Sequence, residues 1–183
     1  MSGSSDKTSG STRNYAKQPG TLAKRREEYD RYMASGDYDP DKSYFDKSGG
    51  FYVWHKDHKA NQDSEAERFA ARSLAEHGYK VYLDKEKSNK NKLSTKDGRI
   101  YNSPMDIKKI TNDGKYTIKS KLEKSTRQGA RTAVIVQGNS KITRQYIESQ
   151  IQLFRDQSPR RAVSKLEYVI VIGQNGHVHR HKI

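Results

Sequence analysis

The run Met105-Asp106-Ile107-Lys108-Lys109-Ile110 sets a carboxylate and an ammonium two residues apart in a segment that alternates polar and apolar side chains. As a strand it carries Asp106 and Lys108 on one face, about 6–7 Å apart, close enough for both to touch one phosphodiester. In cleavage of such a bond Lys108 would stabilise charge developing on the phosphoryl oxygens, and Asp106 would orient it or act as base. Glu67 or His58 would supply the second acid or base. The plain alternative for Asp106 and Lys108 is a cross-strand ion pair at the surface. His58 stands in a polar loop three residues after His55, where an imidazole titrates near neutral pH or is merely exposed. His177, His179 and His181 alternate, so a strand would put them on one face with metal-binding potential, while a frayed chain end would leave them in water.

Charge narrows the class of partner. Of 183 residues, 36 are Lys or Arg and 22 are Asp or Glu, for a formal net charge of +14 and a pI near 9.8. Such a balance favours a polyanion and argues against a small-molecule enzyme. Between Lys80 and Arg131, 15 basic residues face 6 acidic ones, so about nine of the fourteen net charges fall where Asp106 and Lys108 also lie. Lys109, Lys119, Lys121, Arg127, Lys92 and Lys96 are the expected nucleic-acid contacts. The chain has no cysteine, hence no disulfide framework or thiolate zinc site. No apolar run approaches the ~20 residues of a membrane span, and the N-terminus lacks the apolar region of a classical export signal.

The elements that must position these side chains follow from composition and period. Residues 1–20 are Ser, Gly, Thr and Lys with little to bury, which predicts a disordered basic arm. Residues 21–48 read as a charged helix and linker that need not belong to the core, and the Gly49-Gly50 pair marks the boundary of an α+β domain over 49–183. Within it, Phe51–His55 is β-favouring. Asp63 or Ser64 caps a helix ending before Gly78, and Glu67, placed three, four and seven residues before Ala70, Ala71 and Leu74, borders its buried stripe. Tyr79–Leu83 is a strand, and Lys85–Lys96 a mobile basic loop. Asp97-Gly98 opens a hairpin with Arg99–Tyr101 and Met105–Ile110 as its arms. Ile118, Leu122, Ser125 and Thr126 mark a helix ending at Gly129, although Tyr116–Lys121 also fits a strand. Thr132–Gln137 is a buried strand, and Asn139 or Ser140 opens a helix through Phe154. Leu166–Gly173 turns at Gln174-Asn175-Gly176 into a last strand. The architecture expected is one small, largely antiparallel sheet built from hairpins and packed by about three helices.

Four stretches taken in order carry a resemblance: ERFAARSLAEHGYKVYL from Glu67, DGRIYNSPMDIKK from Asp97, IKSKLEKSTRQGARTAVIV from Ile118 and LEYVIVIGQNGHV from Leu166. Together they resemble the C-terminal tRNA-nuclease domain of contact-dependent growth-inhibition (CdiA-type) toxins and its phage and mobile-element relatives, in the barnase, EndoU, colicin and RelE-like group of RNases. The resemblance covers roughly 49–183 and points to Glu67, Asp106, Lys108 and Gln128, with His58 as a looser match. It implies metal-independent cleavage of RNA, tRNA above all, in which the ribose 2′-hydroxyl attacks the adjacent phosphate. It also implies action in the bacterial cytoplasm, possible delivery from another cell, and an acidic immunity or antitoxin protein as partner. The chain departs from the family at Asp106, where Glu is common.

Two other functions fit the residues. In a PD-(D/E)xK-type DNA nuclease, Glu67, Asp97 and Asp106 would hold Mg2+ beside Lys108, although no Pro precedes Asp97. In a non-enzymatic binding module, Asp106 would be incidental and affinity would come from phosphate contacts that weaken with salt.

Overall fold

The computed structural model describes residues 19–58, 64–85 and 97–183. Residues 1–18 of the expected arm, Asp63 with its cap, and most of the basic loop with Lys92 and Lys96 lie outside them. The described strands are β1 (Tyr44–Phe45), β2 (Phe51–Trp54), β3 (Lys80–Leu83), β4 (Gly98–Ile100), β5 (Ser103–Ile110), β6 (Thr132–Gln137), β7 (Tyr168–Ile172) and β8 (Val178–Lys182). They form one eight-stranded sheet in sequential order. Four of its seven pairings are antiparallel and three parallel.

A helix bridges each parallel pairing, because parallel neighbours need a long crossover. These are α2 (Ser64–Glu76) from β2 to β3, α3 (Thr117–Arg127) from β5 to β6, and α4 (Arg144–Gln157) with the short α5 (Arg160–Lys165) from β6 to β7. The α+β class and the largely antiparallel sheet expected above are therefore present, but the sheet is larger than expected and the helices among the described residues number five. α5 has no buried residue and so lacks the apolar period that would announce it. The helical reading of the segment around Ile118 holds. α4 begins later than Asn139 or Ser140: Thr143 is its cap, its hydroxyl accepting from the Tyr146 amide at 3.1 Å. Asn139 instead ties its loop to the Thr111 carbonyl at 2.9 Å.

The first helix, α1 (Pro19–Ala34), packs on the sheet, contrary to its reading as dispensable to the core. Tyr29 is buried edge-on against Phe51 in a cluster with Val53 and Tyr82. Arg25 donates to the Gly49 and Gly78 carbonyls, and Glu28 accepts from Lys80 at 2.7 Å and from Tyr82 at 2.5 Å. Few apolar residues announce this helix in sequence because its attachment is largely polar.

Alternation along the strands divides the core in two. Tyr52, Trp54, Val81, Leu83, Met105 and Ile107 face α2, with Ala70, Ala71 and Leu74 packed on them. Ile110, Ala133, Ile135, Val169 and Val171 face the other way, under Ile118 and Leu122 of α3 and Ile147, Ile151 and Phe154 of α4. Every β5 residue from Met105 to Ile107 is buried, so the strand that carries the chemistry is clamped on both faces.

Candidate active site

β4 is three residues long and β5 eight, and their pairing ends where Gly98 meets Met105. Past that point the β4 side of β5 has no strand partner among the described residues, and the residue before β4, Asp97, fills the position with its side chain. Asp97 Oδ2 accepts from the Ile107 amide at 2.6 Å, replacing a ladder hydrogen bond by one to a carboxylate. Gly98 lets β4 lie close against β3 at this end: a Cβ there would stand 2.1 Å from the Tyr82 carbonyl oxygen. The hairpin register then brings Asp97 opposite Asp106, two like charges at the mouth of the fork.

Asp106 has no exposed surface, and its cross-strand neighbour toward β6 is Ala133. Burial of a carboxylate in an apolar wall is tolerated only with good partners. Lys108 Nζ donates to Oδ1 at 2.6 Å, and Ser125 Oγ, descending from α3, donates to Oδ2 at 2.5 Å. The pair is no surface pair, since side-chain exposure is 1% for Asp106 and 19% for Lys108. The residual exposure lies on the Lys108 side chain, which leaves it able to meet a ligand while Asp106 holds its ammonium.

His58 is likewise buried, contrary to the exposed-loop alternative. Its ring stands edge-on to Trp54 at 4.8 Å, its Nδ1 lies 2.8 Å from the Asp84 carbonyl and its Nε2 2.7 Å from Glu67 Oε2. A carbonyl can only accept, so Nδ1 carries hydrogen and donates to Asp84. The short contact between Nε2 and Oε2 then requires one further proton, resident on the imidazole or on the carboxyl. Glu67, also buried, reaches this position from the first turn of α2.

Asp97 links the two pairs. Burial, and next the charge of Asp106, push its carboxyl up to about 7, with Glu67 adding in the same direction; the Ile107 amide and Lys108 oppose them. Glu67, Asp97, Asp106 and Lys108 thus form one electrostatic cluster, with His58 joined through Glu67. Sequence reasoning reserved Asp97 for the metal-binding alternative and gave Ser125 no fixed role. The signal for Asp97 was the hairpin register, whereas the contact of Ser125 depends on how α3 settles over β5.

The other expected residues are dispersed. Gln128 is the C-cap of α3, its amide donating to the Lys124 carbonyl. Lys109 is exposed next to Lys108 and projects to the opposite face of the strand. Lys119 is engaged by Glu123 at 2.7 Å, Lys121 gives its carbonyl to Ser125, and Arg127 is exposed at the end of α3. The C-terminal histidines do not fray: His179 and His181 lie in β8, which pairs with β7 along its length, and His177 just before it accepts from the Gly173 amide. Burial and the nearby Arg144 hold His179 below its usual value, and burial does the same for His181. Among the described residues no group of three or more His, Asp or Glu side chains is arranged to hold a metal ion.

Comparison with known proteins bears on this geometry. Residues 94–178 match the family model described as the contact-dependent growth inhibition CdiA C-terminal domain, a span that contains Asp97, Asp106, Lys108 and Ser125. None of the curated proteins compared matches the chain. Among solved structures it is similar to the CdiA-CT/CdiI toxin and immunity complex from Burkholderia pseudomallei. That likeness has a TM-score of 0.52 and 22% identity, and covers 68% of this chain and 90% of that one, so the common ground is the fold. The sequence match to that family model thus spans the β4–β5 fork, and the likeness to the solved toxin and immunity complex is one of fold.

Proposed function

We propose that this domain is a nuclease toxin that cleaves RNA, tRNA foremost, at the fork between β4 and β5. The observation that carries the reading is the Lys108 ammonium, held at 2.6 Å by a wholly buried Asp106 and adjoining a carboxyl, Asp97, that is pushed up to about 7. Asp106, engaged by Lys108 and Ser125, is a positioning residue. Lys108 stabilises charge on the phosphoryl oxygens, an effect that commonly amounts to 10²–10³-fold in rate, on the order of a few kcal/mol. Asp97 titrates where a general acid or base works best at neutral pH. In transesterification one group removes the 2′-hydroxyl proton as that oxygen bonds to phosphorus, and another protonates the departing 5′-oxygen. Asp97 and the proton held between His58 and Glu67 supply these two functions, and no resident metal is required.

One observation favours a second reading. Asp106 and Glu67 both raise Asp97, and a divalent cation such as Mg2+ would relieve that repulsion. Carboxylate oxygens from Glu67, Asp97 and Asp106 are of the type that suits a hard ion, but as they stand they do not converge on one point, so the three side chains would have to move together to hold it; the bound ion would then polarise the phosphoryl oxygen. Ser125 and Lys108 would then fix Asp106 for the ion instead of for phosphate.

An acidic immunity protein covering the basic Lys80–Arg131 region is the partner that fits the charge, and the site of action is the cytoplasm of a recipient bacterium. Among the described residues no helix is long and apolar enough to cross a membrane. The deciding experiment incubates wild-type protein and Lys108→Ala with total bacterial RNA and with plasmid DNA, in EDTA and in magnesium. Loss of the tRNA band in EDTA, abolished by the substitution, supports the first reading. Cutting of DNA only in magnesium replaces it by the second, and no cutting in any condition refutes both.

A further inference from the structure

A second cationic site lies on the flank of α3 turned away from Asp106. Glu123, Thr126 and Arg127 of α3, with Pro159 and with Arg161, Ala162 and Lys165 of α5, line a cleft of about 260 Å³. Its one acid is already engaged: Glu123 accepts from Lys119 at 2.7 Å and from Ser158 at 2.7 Å. Those contacts and Arg127 hold it below its ordinary range in spite of burial. Arg127, Arg161 and Lys165 are all exposed, and among the described residues none has a carboxylate within 4 Å. Three cations therefore converge on a concavity whose floor, Pro159, Ala162 and the buried Thr126, is small and largely apolar.

The cleft is smaller than pockets that take drug-sized ligands, which run from about 300 to 1,000 Å³. Its size suits one phosphate with its sugar, and its openness at the surface suits a strand that continues past it. Its position also fits a polymer: Ser125, which fixes Asp106, and Thr126 and Arg127, which line the cleft, are consecutive on α3. A helix is about 10–12 Å across, so the cleft and the fork are a few nucleotides apart along one strand. We propose that the α3–α5 cleft is a phosphate-anchoring subsite for the nucleic-acid strand, set a few nucleotides from the scissile bond. This inference rests on the nuclease reading of the fork and extends it to the length of strand engaged.

The test measures binding separately from cleavage. A fluorescein-labelled 2′-O-methyl RNA strand of about 20 nucleotides, in EDTA, stays intact under either cleavage chemistry. Its affinity is measured by anisotropy across a salt series for the full chain, for Arg127→Gln/Arg161→Gln/Lys165→Gln, and for Lys24→Gln/Arg31→Gln/Lys56→Gln. The last variant removes the same charge from exposed positions elsewhere. The cleft variant should bind at least about tenfold more weakly than the charge-matched control, with the salt slope reduced by about two, at roughly 0.7 for each single-strand phosphate that is no longer neutralised. Equal affinity and slope in the two variants would overturn the subsite, as would failure of the wild type to bind the strand. Because no cleavage is read, a catalytically silent fork would leave this result standing and refute only the nuclease reading.

Discussion

Lys108–Asp106 and Arg144–Glu148 are ion pairs of nearly equal length, 2.6 Å and 2.8 Å, and they differ in almost everything else. The second joins neighbouring turns of α4 with side chains 75% and 46% exposed, so water and salt screen it and its removal exposes nothing. The first spans one pleat of β5, with the carboxylate sealed under α3. Distance is thus a poor guide to what a pair does. What separates the two is whether the acid has water to fall back on, and the buried Asp106 depends on partners such as Lys108 and Ser125.

Substitutions that remove one partner at a time test this contrast. Lys108→Ala should have the largest effect, since it strands a buried carboxylate; about 3–5 kcal/mol of stability is at stake, read by chemical denaturation, together with a 10²–10³-fold fall in cleavage. An effect under about 1 kcal/mol, the level of an exposed pair, would mean that Asp106 relaxes to water and that the two pairs are alike. Ser125→Ala removes the second partner and should cost about 1–3 kcal/mol, with cleavage reduced through Asp106.

The next change is in pH dependence. Asp97 has an ordinary value of 3.8 and is raised to about 7 in the fold, so between those values the native state keeps a proton that the unfolded chain has released. Its contribution to stability is complete below about pH 4 and is lost as pH rises through about 7. Asp97→Asn keeps an acceptor for the Ile107 amide and should flatten that fall in thermal unfolding midpoints between about pH 4 and 8. It should also remove the neutral-range inflection of the cleavage rate. A wild-type profile without slope in this window would show that Asp97 is not raised. Arg144→Ala is the reference at the small end, with about 0.3–0.5 kcal/mol expected, fading in high salt.

The two histidine regions show how legibility varied. In sequence His58 and the His177, His179, His181 set were alike in being loop-like or terminal, and exposure was the natural alternative for both. His58 instead is buried against Trp54 with both nitrogens engaged, because the Asp84 carbonyl after β3 and Glu67 on α2 arrive from segments 26 and 9 residues away. In the C-terminal set His179 and His181 are held on a paired edge strand with His177 just before it, and among the described residues the three are not grouped to hold a metal ion. Local pattern specified the secondary structure around each, and the partners came from elsewhere in the chain.

Short-range physics determined much of this protein without the fold. Alternation placed Asp106 and Lys108 on one face of a strand, the helical period bordered Glu67 on a buried stripe, and turn chemistry at Asn175-Gly176 set the last hairpin. The charge excess over Lys80–Arg131 required no structure at all. Tertiary structure alone decided the burial of Asp106 under Ser125, the proton held between His58 and Glu67, the elevation of Asp97, and the meeting of Arg127 with Arg161 and Lys165. Each of these depends on desolvation and on pairs distant in sequence, and such energies exist only once helices have packed on the sheet and excluded water.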